Sequence, residues 1–328
     1  MDSPPSVALA LGSGGARGYA HIGVLDALRE RGHEVVAVAG SSMGAVVGGA
    51  FAAGRLEEYR TWVTGIGQFE LLRLFDFALS QPGALRGDKL FAKIHALIGD
   101  VRIEDLAIPY TAVAVDLIAR REVWFQRGSL EAAMRASGAL PSLFPPVETG
   151  GRLLIDGGIL NPLPLAPTAA AHADLVIAVS LHGDPLVPLD FVDDEEPLVA
   201  RIRALASRTL DRDLWAIFRP GSRAALEGTA VTVADAAGVG ERPPTRLTLG
   251  KFDMVNMAIE TMQAALVEHK LAGYRPDVLI TVPRNACRSL DFHRADELIA
   301  LGHALAGAAL DEHAAGRPPA AGGPPVAD

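Results

Sequence analysis

The sequence is short of several things that would define its class. Cysteine occurs once in 328 residues, at Cys287, which excludes an internal disulfide and a cysteine-rich metal site. Aromatic residues are only 5% of the chain, so the 49% that is hydrophobic is mostly Ala, Val and Leu. A basic excess is missing as well. The 30 Lys and Arg against 39 Asp and Glu leave a net charge of -9, which argues against duplex nucleic acid as the main partner. The opening residues MDSPPS lack a basic stretch, and the apolar run behind them, Val7 to Leu11, is too short for a secretory signal. With the lone cysteine, this sets the expectation of a cytoplasmic protein, with peripheral membrane contact left open.

Long apolar runs are also scarce, with one exception. Glu34 and Arg55 bracket 20 uncharged residues, VVAVAGSSMGAVVGGAFAAG, enough to span a bilayer as a helix. Five of them are Gly, none is Leu or Ile, and the β-branched start stops at Gly40. That composition suits a strand ending in a sharp turn better than a membrane helix.

What is present fits a folded α/β chain. Mean hydropathy is +0.24, which excludes overall disorder, and 34 Gly with 22 Pro supply turns. Val7–Leu11 reads as a buried strand, Gly12–Gly18 as a loop and Tyr19–Arg31 as an amphipathic helix. Glu34–Ala39 then reads as a second strand, followed by a small-residue helix to Ala53. Strand, loop, helix, strand, turn, helix is the start of a parallel βαβ sheet. Strands are further expected at Tyr110–Val115, Glu122–Gln126, Leu153–Ile155, Leu175–Ser180 and Val278–Val282. Helices are expected at Leu130–Ala136, Leu198–Phe218, Phe252–Leu271 and Ala295–Leu310. The organisation expected is a flexible lead-in (1–6), one domain (7–311) with an insertion at 184–250, and a disordered Pro/Gly/Ala-rich tail (312–328).

Three glycine-bearing turns carry the chemistry. Gly40-Ser41-Ser42-Met43-Gly44 is G-x-S-x-G between strand and helix, where a nucleophilic serine is held on strained backbone and its neighbours must lack side chains. A tight turn with a serine helix cap gives the same pattern. GSGGARG, from Gly12 to Gly18, can aim backbone amides at a tetrahedral oxyanion. Read as a dinucleotide loop it has Arg17 where a third glycine belongs, and the second strand ends in Gly40 rather than an acid. Asp156-Gly157-Gly158 places a carboxylate at a strand end, as a base or as an Asp-Gly turn between strands. His182, just past the strand at Leu175–Ser180, would complete a Ser…Asp…His order as an alternative to a histidine-free pair. No His, Asp or Glu cluster has metal-ligand spacing, so no metal or cofactor is expected.

These motifs, in this order, resemble the patatin-like phospholipases, closest to small bacterial members. The block from Ala136 to Pro146 (ASGALPSLFPP) is similar to that family's proline-containing stretch. The likeness runs from about Val7 to Ser180 and resumes from Phe252 to Leu310. It implies a three-layer α/β/α fold around a mostly parallel sheet and a serine esterase acting on lipid or lysolipid esters. Ser42 would be the nucleophile and Asp156 the base of a Ser-Asp dyad. Gly14 and Gly15 would form the oxyanion hole with Arg17 bracing the loop. Gly12, Gly18, Gly40, Gly44, Gly157 and Gly158 would be the motif glycines. Ser13 stands where the family often has a glycine. A regulatory or interaction protein on the same fold is the alternative. Phe69–Leu79, rich in Phe and Leu, is either a buried helix or a mobile cover over an acyl groove. The arginines between Arg201 and Arg219 lie on a solvated face or approach anionic head groups.

Overall fold

The computed structural model describes residues 4–74, 87–141, 143–184 and 251–316. Alternation within the strands sets the layers. In β1 (Ser6–Leu11), the larger residues Val7, Leu9 and Leu11 join the main core, while Ala10 faces the opposite side with Leu163, Leu165, Ala178 and Val267. A strand buried on both faces, with a bulky side and a small side, needs helices on both.

The chain supplies them in order. β1 leads into α1 (Ala20–Glu30), β2 (Glu34–Ser41) and α2 (Met43–Ala52). Then come α3 (Leu56–Gly65), α4 (Gln68–Leu74) and α5 (Asp88–Ile98). β3 (Tyr110–Asp116), β4 (Arg121–Phe125), α6 (Leu130–Ser137), β5 (Val147–Thr149) and β6 (Arg152–Asp156) form the middle. β7 (Leu175–Gly183), α7 (Lys251–Gly273), β8 (Val278–Pro283) and α8 (Ala295–Ala314) complete it. Eight strands make one sheet in the order β5-β6-β3-β2-β1-β7-β8, with β4 on the other edge of β3. The five strands from β3 to β8 in that order are parallel, β4 and β6 pair antiparallel with β3, and β5 pairs antiparallel with β6. Helices α1, α2 and α8 cover the bulky face, and Val267 of α7 packs on the small one. This is a three-layer fold with a mostly parallel central sheet.

The uncharged run after Glu34 is β2, an elbow and α2, and among the described residues no helix is long and apolar enough to cross a membrane. Several boundaries shift. Ser6, expected in the flexible lead-in, is the first residue of β1 and is tied to Asp174 by hydrogen bonds of 2.7 and 2.8 Å. α8 continues to Ala314, past the expected start of the tail at Glu312. Helices α3 and α5 were not anticipated, although Phe91, Ile94 and Ile98 of α5 sit at helical spacing and are buried. The chain divides into a compact unit of Met1–Asp190 with Met254–Asp328 and a second unit, Phe191–Asp253. The expected insertion (from 185), the helix at Leu198–Phe218, the arginines between Arg201 and Arg219, and residues 317–328 lie outside the described residues.

Candidate active site

β3 acts as a ruler for the site. Ser41, the last residue of β2, is in register with Val113, and Asp156, the last residue of β6, is in register with the next residue, Ala114. Two strands arriving from opposite directions therefore end side by side on one edge of β3. The residue after β2 meets the last residue of β6 there: the Ser42 hydroxyl donates to Asp156 Oδ2 at 2.5 Å.

Ser42 sits at φ 54°, ψ -121°, a conformation that non-glycine residues rarely adopt and that costs about 1–3 kcal/mol. Surrounding contacts hold it. Its N–H donates to Ser137 Oγ at 2.9 Å, and Ser137 in turn donates to the Val113 carbonyl at 2.6 Å. Its own carbonyl accepts from the Ala45 and Val46 amides, starting α2. The flanking glycines are dictated by space. A β-carbon on Gly40 would lie 2.4 Å from the Gly44 carbonyl oxygen, and one on Gly44 would lie 2.1 Å from the Leu11 carbonyl oxygen. Gly44→Ala is accordingly expected to destabilise the chain by at least about 2 kcal/mol. It should also cut any Ser42-dependent rate at least about a hundredfold, by pushing α2 away from β1. Thermal melts and kinetics of the purified variant check both.

Asp156 is 1% exposed. Burial raises its carboxyl to about 6, against the opposing pull of hydrogen bonds from Ser42 and from the Gly158 amide at 2.7 Å. It is not the turn of a hairpin. A short 3-10 turn, Gly157–Ile159, follows it, and among the described residues no later strand pairs back on β6. Gly157 lies against the Val113 carbonyl, Gly12 against Val179 and Pro162, and Gly18 against Met43.

In the glycine loop the flanking amides are engaged. Gly12 N–H donates to Val179, Ser13 N–H to Pro162 and Ala16 N–H to Ser289, at 2.8 to 2.9 Å. Among the described residues the amides of Gly14 and Gly15 donate to no protein acceptor, and both residues line the cavity beside Ser42 and Asp156. Arg17 is fully buried and spends its donors on protein. Nε donates to the Gly14 carbonyl at 3.2 Å, and the other nitrogens reach the Arg284 carbonyl (2.8 Å) and Glu260 (2.6 Å). It braces the loop, with each of its three nitrogens donating to a protein acceptor. His21 is held neutral by burial, which lowers it to about 4, and donates through Nε2 to the Gly12 carbonyl at 2.9 Å. His182, the alternative third member, faces Gln263 instead, with its Nε2 3.1 Å from Gln263 Oε1. Among the described residues no imidazole is bonded to Ser42 or Asp156.

From Ser42 an apolar cavity opens, walled by residues such as Met43, Val46, Trp62, Phe91, Leu143 and Phe144. Among the described residues six aromatics line it, including the edge-to-face pairs Phe91–Phe144 and Tyr59–Trp62. Leu71 of α4 also faces it and is buried, while Phe75 to Leu79 of the expected cover lie outside the described residues. Ser137, Glu260 and Gln263 escaped the sequence reading because their partners lie far along the chain. Only the Ala136–Pro146 block gave a local hint of Ser137. Cys287 is buried, its thiol pushed up to about 12 by burial, and it stands apart from this chemistry.

The family model described as patatin-like phospholipase matches residues 9–169, which include the glycine loop, the elbow and Asp156. An uncharacterized NTE family protein of Mycobacterium tuberculosis is 49% identical over 94% of this chain and 92% of its own length. The lysophospholipase NTE1 of Candida glabrata is 30% identical over 60% of this chain and 11% of its own length. Neuropathy target esterase sws of Drosophila melanogaster is 36% identical over 54% of this chain and 13% of its own length. The chain belongs to the NTE family, carries a patatin-like phospholipase domain, and is by class a hydrolase of lipid esters.

Proposed function

We propose that this chain is a serine acyl hydrolase that cleaves carboxylic ester bonds of lipids through a Ser42–Asp156 dyad. The observation that carries the reading is the 2.5 Å contact between the strained Ser42 hydroxyl and the buried Asp156 carboxyl. Asp156 Oδ2 takes the hydroxyl proton as Ser42 Oγ attacks the ester carbonyl. The tetrahedral oxyanion is received by the Gly14 and Gly15 amides, with the N-terminus of α2 adding favourable field. As the intermediate collapses, the protonated Asp156 returns its proton to the leaving alcohol and the acyl group stays on Ser42. Water, deprotonated by Asp156, then attacks the acyl-enzyme, and as the Ser42 Oγ–acyl bond breaks Asp156 returns the proton to Ser42 Oγ and the fatty acid departs. An aspartate is a weak base in water, near 3.9, and its burial to about 6 narrows the gap to the hydroxyl proton. The apolar cavity suits an acyl chain. The setting is cytoplasmic, with lipid met at a membrane surface or as dispersed monoesters.

The test is fatty acid release by the purified chain from long-chain monoacyl and diacyl phospholipids, with and without a chelator. Release that the chelator leaves unchanged is expected, since the serine, carboxylate and amides supply every group that the steps require. No release from any long-chain acyl ester, or a rate abolished by chelation, contradicts the proposal.

A further inference from the structure

The wall of the cavity opposite the apolar residues belongs to α7, outside the residues matched by the family model. Asn256, Glu260 and Gln263, at helical spacing, all line it. Glu260 is engaged by Arg17 and by Ser289, whose hydroxyl donates to it. Gln263 is different. It is 5% exposed, its Oε1 is held by His182 Nε2, and its Nε2 has no partner among the described residues. Held at the oxygen, the amide can offer only N–H donors to the cavity. Ser13 is 1% exposed, and among the described residues its hydroxyl has no hydrogen-bond partner. A buried polar group left unpaired costs about 1–3 kcal/mol, so such a group facing a cavity marks a place where something else bonds it.

The two groups converge. A β-carbon on Gly158 would lie 2.6 Å from both Gln263 Nε2 and Ser13 Oγ, so both polar ends crowd the same backbone next to Asp156. One donates only, and the other donates or accepts. A hydroxyl, which accepts one hydrogen bond and donates another, is the complement of that pair. A phosphate is not, because among the described residues no lysine, arginine or histidine lines the cavity, and buried Arg17 is bonded to Gly14, Arg284 and Glu260.

Resting on the proposed serine esterase reading, we propose that Gln263 and Ser13 together select esters whose leaving alcohol carries a free hydroxyl on the neighbouring carbon. The substrate hydroxyl accepts from Gln263 Nε2 and donates to Ser13 Oγ. The acyl chain then extends into the apolar side. His182 is a positioning residue that keeps the Gln263 amide turned nitrogen-first.

The test compares kcat/KM for a 1-acyl glycerophospholipid with a free 2-hydroxyl and for its 2-deoxy counterpart of the same chain and head group. The wild-type chain should favour the hydroxylated ester by about tenfold, the scale of one or two buried hydrogen bonds. Gln263→Leu and, as the milder change, Ser13→Ala should each bring the preference to within about twofold, through a fall on the hydroxylated ester. A wild-type chain that hydrolyses both equally overturns this inference alone, as does a preference that survives both substitutions. Equal losses on the two esters in Gln263→Leu place the amide on the shared carbonyl and likewise overturn it. No hydrolysis of either ester by the wild-type chain overturns the serine esterase reading along with it.

Discussion

Ser42→Ala is expected to lower ester hydrolysis by at least about four orders of magnitude, the scale seen when a nucleophile is removed from an otherwise intact site. Alanine keeps the β-carbon and the same φ of 54°, so backbone strain and the Ser137 contact are retained and only Oγ is lost. Thermal stability should therefore change little, which separates lost chemistry from lost folding. The measurement is steady-state kinetics on a long-chain ester, paired with a melt. A Ser42→Ala chain within about tenfold of wild type would move the nucleophile elsewhere.

Asp156→Asn is expected to lower the rate by about 10³–10⁴-fold, because the amide still fills the site and still accepts from Gly158 but takes no proton. The pH profile follows from the same residue. With its carboxyl raised to about 6, Asp156 is ionised and active above that value, so wild-type kcat/KM should rise as pH passes through about 6 and level off beyond it. Stability should move oppositely. The folded-state value lies above the unfolded value near 3.9, so the folded chain binds this proton more tightly. Its contribution is fully present below about pH 4 and is lost as pH rises through about 6. The ionised carboxylate thus costs folding about 2–3 kcal/mol at neutral pH, by the relation of one pKa unit to 1.36 kcal/mol. Asp156→Asn removes that cost. The variant should be more stable than wild type at pH 8, and the gain should vanish towards pH 4. Denaturation at the two pH values checks this, and a variant less stable at pH 8 would contradict the buried-carboxylate account.

These expectations rest on local signals that the sequence displayed. Gly40 and Gly44 are there because a β-carbon at either would strike backbone, and a steric demand of that kind leaves a short pattern. Strands β1, β2 and β7 were legible for a similar reason, since burial on both faces writes a continuous apolar run. The partners of the site were not legible. Ser137 holds Ser42 from 95 residues away, and Glu260 reaches Arg17 across 243. Neither separation leaves a periodic trace. Asp156 read equally well as a hairpin turn. Only its register beside Ala114, one step beyond Val113 and Ser41, brings its carboxyl to the serine. The shortage of aromatic rings also looks different in three dimensions, because Tyr19, Tyr59, Trp62, Phe91, Phe144 and Phe292 gather around one cavity.

The central claim, that the Ser42 hydroxyl is made nucleophilic by Asp156, is tested most directly by covalent labelling with a fluorophosphonate followed by peptide mass spectrometry. The wild-type chain should be modified at Ser42. Ser42→Ala should take up no label, and Asp156→Asn should label far more slowly. Equal labelling of the Ser42→Ala chain, or undiminished labelling of Asp156→Asn, would contradict the account.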